Sequence, residues 1–113
     1  MQTKPIPVIL DTDIGTDIDD TWALAMLLNC PELDPRLITT VSGDTTYRAH
    51  LAAKFLQVAG RADIPIGIGI GHPEGSLNFQ QPWLDGFDLD SYPGTIYQDG
   101  IQAMLDVDRK SVV

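Results

Sequence analysis

The stretch at residues 8–28, VILDTDIGTDIDDTWALAMLL, decides the fold because its composition changes twice along its length. It opens with an apolar run at residues 8–10 and closes with another at residues 22–28. Between them, five aspartates fall within ten residues: Asp11, Asp13, Asp17, Asp19 and Asp20. This pattern predicts a buried strand, an acidic loop and a helix, with the loop at the strand end where open α/β sheets bind ligands.

The crowded carboxylates of this loop need a compensating positive charge, because like charges repel at short range. A hard divalent cation with oxygen ligands supplies that charge most simply. Helix capping is the alternative reading, and we assign that role to Asp17, but one or two aspartates suffice to cap a helix. An EF-hand is excluded, because counting from Asp11 puts Gly15 at the fifth position and Trp22 at the twelfth.

Beyond this stretch, strand-like and helix-like segments alternate. We predict strands at residues 8–10, 37–41 and 64–70, and helices at residues 19–29, 46–59 and from 99 or 100 onward. Apolar residues lie nearly all round the first of these helices, which predicts that it is buried against the sheet. This order favours an α/β fold with a parallel, doubly wound (Rossmann-like) sheet and right-handed crossovers. The whole chain, residues 1–113, has the length of a single domain.

The second helix and the segments after it carry further signals. Asp44 is a candidate cap for this helix, and we place Arg48 and His50 on its solvated faces. The glycines that alternate along residues 67–71 do not form a dinucleotide fingerprint, because the sixth position counted from the first of them is His72. We expect them to allow close packing or the approach of a ligand. Residues 72–94 are predicted to be a long binding loop or lid.

Charge and composition exclude several classes of protein. The chain has 16 acidic against 7 basic residues and a formal net charge of −9, which argues against nucleic-acid binding. Its one cysteine, Cys30, cannot form an intrachain disulfide, which favours a reducing, cytoplasmic location. No apolar run reaches the length of about 18 residues that a membrane span needs, so we expect no membrane partner.

The acidic loop resembles the N-terminal signature of the inosine/uridine-preferring nucleoside hydrolases. The matching elements are DTDIG at residues 11–15, the pair Asp19-Asp20 and the helix start ALA at residues 23–25. Two more residues separate Gly15 from the aspartate pair than in the commonest form of the signature, so an alignment with Asp17 at the first position of the pair stays open. We favour Asp19-Asp20, because the apolar helix starts at a fixed distance after the pair. Further similar segments are TTVSGD at residues 39–44, residues 51–65 and DGI at residues 99–101.

This resemblance covers nearly the whole chain, but only the N-terminal part of the family's catalytic domain. We therefore expect a truncated domain of about three strands and three helices, from a fragment, a truncated reading frame or a split gene. A histidine often precedes the family's Asp-Gly pair and faces the leaving base. This chain has Tyr97 in that region instead, so Tyr97 is a candidate donor there.

What the resemblance implies is metal-assisted hydrolysis of the N-glycosidic bond of a ribonucleoside to free base and ribose, a step in nucleoside catabolism. Carried over by position, Asp13 and Asp20 bind Ca²⁺, and Asp13 is also the catalytic base that takes a proton from water. Asp19 and Asp44 are the substrate-binding residues, and Asp11 supports the loop. The resemblance also implies a homo-oligomer when the protein is full length.

Two alternatives stay open. A strand ending in Asp-x-Asp is also typical of haloacid-dehalogenase-like phosphatases, where Asp11 would be the nucleophile and Mg²⁺ the metal. That family usually has Thr or Val where this chain has Gly15, and it leaves the later aspartates unexplained. The second alternative is a non-catalytic truncated fragment, and we expect the isolated 113-residue chain to be inactive.

Overall fold

The computed structural model describes residues 4–111, so the ends of the predicted domain, residues 1–3 and 112–113, lie outside the described residues. Four strands are present in this range: β1 (Ile6–Thr12), β2 (Leu33–Thr40), β3 (Ile66–Ile68) and β4 (Ile96–Tyr97). Three α-helices are present: α1 (Asp19–Leu28), α2 (Thr45–Val58) and α3 (Gly100–Ser111). Two short 3₁₀ helices, Gln81–Leu84 and Leu89–Ser91, interrupt the long loop.

The strands form one parallel sheet in the order β1-β2-β3-β4, which confirms the predicted α/β class. Helices cover both of its faces. Ile38 and Ile66 point to the face of α1 and α2, where they join one hydrophobic core with residues of both helices. A Cβ at Gly67 would instead lie 2.9 Å from the Cα of Gly100, so the start of α3 packs on the opposite face. The sheet is therefore doubly wound, as predicted.

The core explains why α2 is the best-anchored helix. Its leucines, Leu51 and Leu56, are almost fully buried against the strand residues of the same face. Asp44 caps the helix by accepting a hydrogen bond from the amide of Tyr47 at 3.0 Å, as predicted. Gly60 follows the helix with φ of 75°, the left-handed conformation that commonly ends helices.

Strand bounds differ from the predicted ones for two local reasons. β2 begins at Leu33 rather than at residue 37. The strand continues past Pro35 because its pairing with β1 shifts by one residue next to this proline, which is where a strand tolerates proline. β3 is shorter than predicted, and just beyond it a Cβ at Gly69 would come within 2.0 Å of the Thr40 carbonyl oxygen. The two-residue strand β4 was not predicted, because a pair of residues carries no periodicity.

Two predictions about α1 were wrong. The apolar residues around this helix predicted burial on all sides, but Trp22 is 65% and Met26 is 72% exposed. They are exposed because β1 is the edge strand among the described residues, so no further element covers that side. Asp17 does not cap the helix, since Ile18 is the N-cap residue and makes no side-chain capping bond.

Within residues 4–111, no helix is long and apolar enough to cross a membrane.

Candidate active site

A concave site with a volume of about 460 Å³ lies where the first three strands end. The acidic loop after β1 forms one side of this cavity. Four of its five aspartates line the cavity: Asp13, Asp17, Asp19 and Asp20. The turn after β2 and the segment at residues 72–77 form the other side. The fold thus brings the acidic loop to the edge of a parallel sheet where ligands generally bind.

Two hydrogen bonds hold the side chain of Asp20 beside Asp13 in this cavity. The Thr12 hydroxyl donates to Oδ2 of Asp20 at 2.8 Å, and the Asp13 amide donates to the same oxygen at 3.0 Å. Thr12 itself is buried at the end of β1. Asp20, in the first turn of α1, is therefore held against the end of the strand, next to the side chain of Asp13.

This arrangement shifts the pKa values of the two carboxyls in opposite directions. A hydrogen bond with Asp20 raises the pKa of Asp13, and burial and the negative charge of Asp20 add to that effect. The positive charge of Arg48 opposes it. The same hydrogen bond lowers the pKa of Asp20, helped by the Thr12 hydroxyl. The carboxyls of Asp13 and Asp20 share a proton in this arrangement, and a bound cation would take the place of that proton.

The donor set is compatible with a hard divalent cation, but it is incomplete. Asp13 and Asp20 place carboxylate oxygens together, and Asp17 and Asp19 line the same cavity with no hydrogen-bond partner for their carboxylates within residues 4–111. Across that same range, no three His, Cys, Asp or Glu side chains are grouped closely enough to hold a metal ion. The described residues would therefore supply only part of the six to eight oxygens that Ca²⁺ takes.

Asp11 and Asp44 stand beside the cavity, and neither is among its described lining residues. Asp11 accepts a 2.8 Å hydrogen bond from the Thr39 hydroxyl, which ties the ends of β1 and β2 together. Asp44 uses one carboxylate oxygen to cap α2 and the other to accept a 3.1 Å hydrogen bond from Nδ2 of Asn78. Asp44 thus connects the start of α2 to the loop that walls the cavity.

Arg48 is a residue that sequence reasoning placed wrongly. The structure buries it to 4% exposure, and its guanidinium contacts the ends of two strands instead of solvent. The signal was present, because Arg48 lies at helical spacing from Leu51 and Phe55 on the packed side of α2. His50, by contrast, is half-buried, and its ring contacts Phe87 edge-on at 6.5 Å between centroids.

The long loop was predicted as a whole, but no sequence signal marked its five lining residues: His72, Glu74, Gly75, Ser76 and Leu77. Backbone contacts hold this segment beside the turn after β2. The His72 amide donates to the Gly43 carbonyl at 2.7 Å, and the Asp44 amide donates to the Ser76 hydroxyl at 3.2 Å. The predicted binding loop therefore forms a wall of the cavity near its start, at residues 72–77.

Comparison with known protein families identifies the family of this chain. The model of the inosine-uridine preferring nucleoside hydrolases matches residues 8–107, which include most of β1, the acidic loop, the other three strands and most of α3. The chain belongs to this family. The resemblance inferred from the acidic loop is thereby confirmed, as is the nucleoside hydrolase-like α/β fold.

Curated nucleoside hydrolases resemble the chain over a shorter range. A probable uridine nucleosidase 2 of Arabidopsis thaliana is 45% identical over 64 residues, 55% of this chain and 19% of the relative. The non-specific ribonucleoside hydrolase RihC of Klebsiella pneumoniae is 42% identical over 73 residues, 60% of this chain and 22% of the relative. The pyrimidine-specific ribonucleoside hydrolase RihA of Photobacterium profundum is 39% identical over 69 residues, 59% of this chain and 22% of the relative. The chain spans about a fifth of the length of these relatives.

Tyr97 is the candidate donor to a leaving base. It lies in β4, paired with Gly67 of β3, and is 41% exposed. It is not among the described residues that line the cavity. In this member of the nucleoside hydrolases, contact between Tyr97 and a leaving base stays a prediction.

Proposed function

We propose that this chain carries part of the active site of a ribonucleoside hydrolase, which splits the N-glycosidic bond to give free base and ribose. The observation that carries the proposal is the meeting of Asp13 and Asp20 in a cavity at the strand ends. The names of two relatives support the substrate class, since each is described as a ribonucleoside hydrolase.

In this proposal, Asp13 and Asp20 hold a Ca²⁺ ion, and Asp13 also accepts a proton from the attacking water. The bound ion supplies positive charge that orients the water and makes it more acidic. Asp13 suits the second role because its carboxylate lines the cavity in which water and substrate would meet. The lowered pKa of Asp20 fits a ligand that stays anionic.

The other aspartates take supporting roles around the sugar. Asp19 lines the cavity, and we propose that it accepts hydrogen bonds from ribose hydroxyls. Asp44 is proposed to contribute to substrate binding from the start of α2. Asp11 supports the strand end from behind, through its hydrogen bond with Thr39. The phosphatase alternative needs Asp11 as nucleophile, and no observation favours it over this arrangement.

The remaining parts of the proposal concern the whole protein. Because the matched stretch is only about a fifth of the length of the relatives, we propose that further ligands come from the part of the relatives' sequence outside that stretch. We expect the isolated chain to bind Ca²⁺ weakly and to be inactive. A homo-oligomeric full-length protein and a cytoplasmic location belong to the same proposal, the latter on the single cysteine, Cys30.

The test is ribose release from inosine and uridine by a protein extended to the length of the relatives. Asp13→Ala should lower the rate about a hundredfold or more, because it removes a metal ligand and the general base together. The control is Asp85→Ala, which removes an exposed aspartate of the loop. A rate for Asp13→Ala within about tenfold of the parent would contradict the assignment. Release of phosphate from a phosphomonoester, without ribose release, would favour the phosphatase instead.

A further inference from the structure

The buried guanidinium of Arg48 joins the loop after β1 to the turn after β2, and both of these line the cavity. Nη1 of Arg48 donates to the main-chain carbonyl of Asp13 at 2.6 Å and to that of Ile14 at 3.0 Å. Nε of the same side chain donates to the carbonyl of Ser42 at 2.7 Å. The first two acceptors follow β1 and the third follows β2, so a side chain of α2 holds both strand ends together.

The chemistry of this contact is specific to arginine. Carbonyl groups just beyond a strand have no neighbouring strand to satisfy them, and a planar guanidinium presents several donors in a fixed fork. Lysine would carry the same charge, but its single ammonium group cannot reproduce the directions set by Nε and Nη1 of Arg48. The turn that is held has a strained backbone, since Ser42 adopts a φ of 74°, which is uncommon for a residue other than glycine.

We propose that Arg48 is a positioning residue for the carboxylate pair of Asp13 and Asp20. By holding the carbonyl of Asp13, it fixes the backbone of this residue, whose amide donates to Asp20 and whose carboxyl lies within hydrogen-bond reach of the Asp20 carboxyl. The inference rests on the proposed function only in treating this pair as cation ligands. It assigns Arg48 no contact with substrate.

The sign of the effect separates positioning from simple charge. A positive charge beside a cation site repels the cation, so by charge alone, removal of Arg48 would strengthen binding. Loss of positioning would weaken it, because residues that orient metal ligands typically contribute about 10–100-fold to metal affinity. Arg48→Lys keeps the charge and loses the fork, and Arg48→Gln loses both.

The experiment titrates the full chain with Ca²⁺ and follows amide chemical shifts at residues 11–20 by NMR. Arg48→Lys and Arg48→Gln should both bind Ca²⁺ about tenfold or more weakly than the parent. The control is Arg36→Gln, which removes the same charge from an exposed arginine outside the cavity and should leave the affinity unchanged. An unchanged affinity in Arg48→Lys, or a tighter one in Arg48→Gln, would overturn the proposal.

A second measurement needs no metal and so decides the matter where binding is too weak to measure. Amide hydrogen exchange at residues 13–16 should be faster in Arg48→Lys than in the parent, with exchange in the middle of α2 unchanged. Equal exchange at residues 13–16 in the two proteins would refute positioning by Arg48. Neither measurement uses nucleoside turnover, so a failure to release ribose would count against the proposed function and leave this inference standing.

Discussion

The hydroxyl of Tyr47 donates a 2.8 Å hydrogen bond to the main-chain carbonyl of Gly15, in the middle of the acidic loop. The same hydroxyl accepts a 2.9 Å hydrogen bond from the amide of Gln80. Burial raises the pKa of Tyr47, so the group keeps the proton that it donates. One phenol of α2 thus ties the acidic loop to the long loop on the other side of the cavity.

Tyr47→Phe tests this tie. The variant leaves the buried Gly15 carbonyl and the half-buried Gln80 amide without their partner, and we expect the free energy of unfolding to fall by about 1–3 kcal/mol. Urea denaturation measures this change. Tyr97→Phe is the matched control, because Tyr97 is 41% exposed, and it should change stability much less. Equal effects in the two variants would mean that the hydrogen bonds of the Tyr47 hydroxyl add no more stability than an exposed hydroxyl does.

Gly15→Ala tests the close packing under the same loop. Gly15 has φ of 115°, and an added Cβ would lie 2.5 Å from a methyl group of Leu51 and 2.8 Å from the ring of Tyr47. Gly75→Ala is the control, since Gly75 has φ of 74° with no atom within 4 Å of an added Cβ. We expect Gly75→Ala to cost about 1–2 kcal/mol from backbone strain. Gly15→Ala should cost about 1–3 kcal/mol more from overpacking, and thermal unfolding of both variants checks the difference.

The opposed pKa shifts of Asp13 and Asp20 predict opposite pH dependences of stability without metal. The raised pKa of Asp13 means that its contribution is fully present below the ordinary aspartate pKa of 3.8 and is lost as pH rises through the raised value. Asn resembles the protonated carboxyl, so Asp13→Asn should match the parent at low pH and become more stable than the parent as pH rises to 7.

Asp20→Asn should behave in the reverse way. Because the pKa of Asp20 is lowered, its contribution is present above 3.8 and is lost as pH falls through the lowered value. The variant should therefore be less stable than the parent at pH 7 and approach it at low pH. Urea denaturation in a chelator across this range measures both variants, and parallel pH profiles for the two would contradict the assigned shifts.

The contact of Asp44 with the loop predicts a local effect for Asn78→Ala. This variant removes the 3.1 Å hydrogen bond from Nδ2 of Asn78 to Asp44 and the 2.8 Å bond that the Ser76 hydroxyl donates to Asn78. It leaves the cap of α2 intact. Amide exchange at residues 72–78 should therefore become faster, with α2 unchanged. Asn29→Ala, which removes only a bond to the Ala25 carbonyl at the end of α1, should leave that loop unaffected.

The class of fold and the place of the site were predictable from local patterns. In a parallel sheet, an apolar strand followed by aspartates and a helix places the aspartates at the carboxyl end of the strand, where ligands bind. Asp44 was predictable as a cap for the same kind of reason, since capping depends on residues a few positions apart. Burial of Trp22 and Met26 was predicted and is wrong, because periodicity does not say whether another element covers a helix face.

The acidic loop, the order of strands and helices, and the family follow from residue type and spacing along the chain. Only the tertiary structure decided that Arg48 is buried against Asp13, that Asp44 contacts Asn78, and that residues 72–77 wall the cavity. These contacts join residues more than thirty positions apart, and their directions depend on how α2 packs across the sheet. No local pattern contains that information, because hydrogen bonds to main-chain carbonyls carry no signature in the residue that accepts them.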